Sequence, residues 1–209
     1  MDRLNYSSLA ALKGAQSRQT ATANNLANAA TPGFRAELSE AQTLWLKGAT
    51  FESRAAVSQE VVSADMHAGV VTSTGRPLDV AIENDALLAV QSPDGEEAYT
   101  RRGDLQLSET GLLTTGDGRP VLGLQGPITL PPSDSVSIDG QGRISIIPAG
   151  GDPNQPQQVE QLKLVSATGI GVKKGLDALF RAATGDALPT DPDARVRTGQ
   201  LEASNVSST

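Results

Sequence analysis

The run Ala23-Asn24-Asn25-Leu26-Ala27-Asn28-Ala29-Ala30-Thr31-Pro32-Gly33-Phe34-Arg35 decides how this chain is organised. Asn24, Asn25 and Asn28 crowd the end of a helical pattern, although asparagine is a poor helix former and a poor core filler. Each of these side chains carries an acceptor carbonyl and two N–H donors, so it can bond to backbone or to a like neighbour. Pro32 drives Thr31 out of the helical region, and Gly33 permits a turn with positive φ. Phe34 stands just past the break as an anchor. The reading is a helix that ends in groups suited to contacting other chains. A polar C-cap on a surface helix is the plainer alternative.

Upstream of the run, Leu4 to Asn28 read as one helix of about 25 residues, some ~37 Å long, with Asp2 as its N-cap. The apolar stripe is Leu4, Ala11, Leu12, Ala15, Ala23 and Leu26, interrupted by Ser8, Gln19 and Thr22. So thin a stripe repays little of the entropy of ordering. Residues 1–30 are therefore expected to form an assembly helix, disordered in the isolated subunit and ordered by neighbours.

Downstream, residues 31–68 lose clear periodicity and read as an extended connector. Within it, Ala36 to Ala41 read as a short continuation of helix, and Trp45 and Phe51 stand as isolated aromatics. Beyond Gly69 the character is β. Leu78–Ile82, Ala86–Gln91, Glu97–Arg101, Leu105–Leu107, Leu112–Thr115, Val121–Leu124, Ile128–Leu130, Val136–Ile138, Arg143–Ile147 and Val159–Val165 read as strands, separated by turns such as Pro93-Asp94-Gly95. The fold class is thus mainly β, a twisted antiparallel domain of about ten short strands over residues 69–185. Residues 186–209 read as a return segment, gathering at Val196–Leu201 and heading back toward the connector.

Composition agrees. Aromatic residues make up 3% of the 209, so the core must be aliphatic, and 21 glycines with 12 prolines call for many turns. The net charge of −7 argues against a nucleic-acid partner. The absence of cysteine removes disulfides and thiolate metal sites. No apolar run approaches the ~20 residues that span a bilayer, so no membrane insertion is expected.

Asn24-Asn25-Leu26-Ala27-Asn28 followed by Thr31-Pro32-Gly33-Phe34 resembles the amino-terminal signature of bacterial flagellar rod and hook proteins, and Pro32 resembles their proximal-rod members. Gly75-Arg76-Pro77-Leu78-Asp79-Val80-Ala81-Ile82, Tyr99-Thr100-Arg101-Arg102-Gly103-Asp104, Gly111-Leu112-Leu113-Thr114 and Pro120-Val121-Leu122-Gly123 resemble further family segments in the same order. Asn84-Asp85-Ala86-Leu87 departs from the family's Gly-Asp-Gly-aromatic pattern, losing a flexible turn residue and a ring. Ser204-Asn205-Val206 resembles the family's entry into a carboxy-terminal helix. Since the chain stops at Thr209, that helix is expected to be missing, leaving a truncated form that folds its β domain without polymerising.

The resemblance implies a structural subunit of the proximal rod of the flagellar basal body, assembling helically and transmitting torque. Implied partners are other flagellar rod proteins, copies of itself and the flagellar export apparatus. Its implied place is the periplasmic rod, reached without a cleaved signal peptide; Met1 to Tyr6 lack the layout of one. The assembly residues are then Leu4, Ala11, Ala15, Asn24, Asn25, Leu26, Asn28, Pro32, Gly33, Phe34, Asn205 and Val206. Alternatives are a distal rod or hook subunit, or a secreted β-rich binding module.

An enzyme is not expected, nor is any cofactor or metal. His67 lies two residues from Asp65, yet no Gly-x-Ser-x-Gly nucleophile motif accompanies them. Asp191-Pro192-Asp193 lacks the pattern of a calcium loop, and Gly169 to Gly175 lacks the Gly-Lys-Ser/Thr of a phosphate loop.

Overall fold

The computed structural model describes residues 2–45, 55–175 and 177–207, with side chains described throughout these except at 2–7, 10, 39–45 and 55–62. It is mainly β. Helix α1 (Asp2–Ala27) runs into the asparagine cluster. The chain then leaves through a turn in which Thr31 N donates to Asn28 O at 3.1 Å. Pro32 and Gly33 complete the break, with Gly33 at φ +65°.

The stretch read as a connector holds an antiparallel pair, β1 (Glu37–Trp45) and β2 (Ala55–Ala64). Their register runs from Glu37 opposite Ala64 to Trp45 opposite Ala55, with an irregularity between Leu38 and Ser39. The short helix expected at 36–41 is replaced by the start of β1. Both strands lie along α1, and cross-strand pairing with this backing overrides the helical leaning of Glu37-Leu38-Ser39-Glu40-Ala41.

Small residues let the pair approach the helix. Gly14 and Ala21 are buried and Ser17, Asn24, Asn25 and Asn28 half-buried on the side facing the hairpin. These positions recur at intervals of three, four and seven and so share a face. The helix expected to wait for other subunits is thus already backed by its own chain.

The β body follows. β3 (Val71–Ser73) and β4 (Val80–Ile82) lead to β5 (Ala86–Gln91) and β6 (Glu97–Thr100), which pair around the Pro93-Asp94-Gly95 turn. β7 (Leu105–Leu107) and β8 (Leu113–Thr115) form a hairpin, and β9 (Ser133–Ile138), β10 (Arg143–Pro148) and β11 (Gln157–Gln161) a three-stranded sheet. β12 (Leu164–Ser166), β13 (Val172–Lys174) and β14 (Phe180–Ala182) complete a five-stranded sheet of order β12-β5-β6-β14-β13. Last come β15 (Val196–Thr198), paired with β4, and β16 (Gln200–Glu202), paired with β3. The described residues therefore hold sixteen strands against about ten expected, the additional ones being mostly three residues long.

β5 is buried on both faces, which explains its unbroken apolar run. Ala86, Leu88 and Val90 join the larger core with Leu105, Leu113, Ile144 and Leu162. Leu87 and Ala89 point the other way, to Tyr99, Val165, Phe180 and Leu188. The cores are aliphatic apart from Tyr99 and Phe180, as composition requires. Asn84, at the departure from the family pattern, takes φ +50°, a left-handed turn that asparagine tolerates better than most side chains.

Candidate assembly junction

The signature run, the start of β1, the end of β2 and the return segment meet at one place. Here chain segments that are remote in sequence are tied together by buried polar groups.

Glu202, at the end of β16, is the hub. Its Oε1 lies 2.6 Å from Arg35 Nη1 and accepts from Gly69 N at 2.8 Å. Its Oε2 accepts from Arg101 Nε at 3.0 Å and Nη2 at 2.6 Å. Its backbone carbonyl accepts from Gly33 N at 2.8 Å. Arg35, Arg101 and Glu202 are each at most 3% exposed. Two guanidinium groups on one carboxylate leave an excess of positive charge, and backbone carbonyl dipoles offset it. Arg101 donates to Ile82 O at 2.6 Å and Ala86 O at 2.8 Å, and also to Asn84 O. Arg35 donates to His67 O. Burial still lowers the pKa of Arg35, against the pull of Glu202.

Glu37 is the second hub. Its backbone N donates to Asn25 Oδ1 at 2.8 Å and its carbonyl accepts from Asn25 Nδ2 at 3.1 Å, so the amide pairs with the strand as a peptide would. Asn24 Nδ2 donates to the Glu37 carboxylate, and Lys174 Nζ lies 3.5 Å from the same Oε1. Asn28 Nδ2 braces Asn24 through its backbone and side-chain oxygens at 2.9 and 3.0 Å. The asparagines expected to face other chains thus bond within this one.

Phe34 lies between the hubs and is 4% exposed. Lys174 Nζ sits 3.5 Å over its ring and donates to Arg35 O at 2.7 Å. Burial lowers the pKa of Lys174, with Glu37 opposing. Phe34, read as an anchor for assembly, is buried by its own chain. Gly33 is fixed by contact as well as by φ, since a Cβ there would meet Arg101 O at 2.3 Å. Pro32 beside it is half-buried.

Asn205 closes the junction from the carboxyl side. Its Oδ1 accepts from Ala36 N at 2.7 Å, and its Nδ2 donates to Asp65 O at 2.8 Å and His67 O at 2.9 Å. Val206 is half-buried next to it. His67 serves through its backbone carbonyl while its ring stands in solvent beside Asp65.

Of the remaining predicted residues, Ala11, Ala15 and Leu26 are exposed on α1, and the Leu4 side chain lies outside the described residues. Leu9, Leu12 and Leu26 are 47%, 65% and 71% exposed. At about 100° per residue, these leucines centre roughly half a turn from Gly14 and Ala21. Sequence reasoning missed Arg35, Glu37, Arg101, Lys174 and Glu202 as site residues. Arg35 and Arg101 stand inside segments that the family resemblance singles out, which was the signal for them, whereas Lys174 and Glu202 carry no local one.

A family model described as "Flagella basal body rod protein" matches residues 6–35, the helix, the Pro-Gly turn and Arg35 of the junction. One described as "Flagellar hook protein FlgE/F/G D1 domain" matches residues 81–146 of the β body. The chain is 42% identical over 212 residues to the flagellar basal-body rod protein FlgF of Escherichia coli (strain K12), covering 99% of this chain and 84% of that relative. Identity and coverage are the same for FlgF of Salmonella typhimurium (strain LT2). Against the flagellar basal-body rod protein FlgG of Bacillus subtilis (strain 168), identity is 30% over 224 residues, covering 96% and 84%. Identity of 42% over nearly the whole of this chain and 84% of each FlgF means that the chain belongs to the FlgF family of flagellar basal-body rod proteins.

Proposed function

We propose that this chain is a structural subunit of the proximal part of the flagellar rod, acting by helical self-assembly and co-assembly with other rod proteins. The observation that carries the reading is the division of α1 into two faces. The small face is used within the chain, against β1 and β2. The face bearing Leu9, Leu12, Ala15, Ala23 and Leu26 is left in solvent. A leucine stripe at helical spacing is an interface for other helices, and neighbouring subunits supply them.

The β body then lies outside a layer of packed helices, and the junction carries load between the two. Torque transmission needs stiffness at that joint and no chemistry. The subunit is delivered by the flagellar export apparatus to the periplasmic part of the basal body.

Motility complementation tests this. Introduced into the chromosomal gene of a motile strain, L12E together with L26E is expected to abolish swimming and rod assembly. The purified variant should keep the thermal unfolding of the parent, since both leucines are exposed. L124E, at a 54% exposed site on the β body, is the control and should swim. Normal swimming by L12E/L26E would sink the reading.

A further inference from the structure

We infer that the Arg35–Glu202–Arg101 triad is a lock that fixes the direction in which α1 leaves the β body, and that Arg35 is its detachable arm. Glu202 bonds three segments with one side chain: the helix exit at Arg35, the hairpin exit at Gly69 and the β body at Arg101. A residue serving only the β core needs one of those partners. Buried ion pairs add little net stability, because desolvation offsets their attraction, whereas their geometry excludes alternative arrangements.

The placement of the two arms supports this division. Arg101 is strapped to carbonyls of β4, the following turn and β5, so it belongs to the body. Arg35 sits beyond the Pro-Gly break and reaches back to the same carboxylate. Its guanidinium also donates to the His67 carbonyl, which lies on the chain leaving the hairpin. The second clamp, Asn24 and Asn25 on Glu37, holds the far end of the same short segment. With residues 33–37 gripped at both ends, α1 has one direction.

The chain contains no cysteine, so spin labels can be placed uniquely. Labels at A15C on α1 and E109C on the body report the helix direction, and labels at E109C and D186C report the body alone; all three sites are exposed. Electron–electron distance measurement on the free subunit is expected to give one narrow peak for each pair. R35M should lose the narrow A15C–E109C peak in favour of a broad distribution and leave E109C–D186C narrow. Arg101 and Gly69 N remain on Glu202 in that variant, which keeps the body folded. A peak unchanged in R35M overturns the proposal. Broadening of both pairs overturns it too, because the triad then supports the core rather than the joint. The measurement is made without assembly, so its outcome is separate from the rod reading.

Discussion

Gly33 has no freedom to change. Its φ of +65° belongs to the left-handed region, its N–H is spent on Glu202 O, and Arg101 O occupies the space a Cβ would need. Gly33→Ala is expected to cost at least about 2 kcal/mol by urea unfolding, from backbone strain and the displaced contact together. Phe34 beside it gives a second expectation. With its ring buried under Lys174, Phe34→Ala should cost about 3–5 kcal/mol and lower the melting temperature by several degrees. The opposite outcome, an unchanged melting temperature with assembly lost, is what the sequence reading of Phe34 as an assembly anchor implies. In the structure the ring is received by Lys174 of the same chain. A lone aromatic after a break says that something receives it, but Lys174 is remote in sequence and no local pattern reveals it.

Among the elements, legibility followed length and burial. β5 matches its sequence reading residue for residue, because an apolar run bounded by turns has few other solutions. β13 and β14 are three residues each, too short for a period to show. The stretch read as one strand at Val159–Val165 is divided between β11 and β12, since its backbone changes partner midway. Leu162 N donates to Gly142 O, whereas Lys163 N donates to Leu122 O. Val121–Leu124 and Ile128–Leu130 make only isolated bridges. The β1–β2 pair was invisible because Glu37 to Ala41 lean toward helix, and its packing along α1 leads us to expect that its order depends on the helix. That dependence is testable. Asn25→Ala leaves the Glu37 N–H and carbonyl without their side-chain partner, at a cost of about 1–3 kcal/mol. Hydrogen exchange should speed up at Glu37, Leu38 and the last turn of α1, and stay slow in β5 and β6.

At the scale of the whole molecule, the sheet around Tyr99 sets an alkaline limit. Its hydroxyl accepts from Leu188 N at 2.6 Å and donates to Glu97 Oε1 at 2.9 Å. Burial, with Glu97 beside it, pushes the pKa from 10.0 up to about 12. The folded chain therefore holds the phenolic proton more tightly than the unfolded one. The resulting stability is complete below pH 10.0 and is lost as pH rises through about 12. In Tyr6→Phe, where Tyr99 is the one tyrosine left, tyrosinate absorbance and loss of circular dichroism should rise together in that window. Tyrosinate forming near its ordinary pKa with the fold intact would contradict the buried hydroxyl.

The reach of the junction along the chain also imposes an order in time. The bond from Ala36 N to Asn205 spans 169 residues, and that from Arg101 to Glu202 spans 101. Closing loops of that length is slow compared with forming a hairpin or a turn of helix. A chain that emerges amino end first presents α1, its Pro-Gly break and the β1–β2 pair long before Glu202 and Asn205 exist to hold them. The first element made is the last to be aimed. During synthesis or threading, α1 is therefore free to swing, and it acquires a bearing only when the final strand arrives.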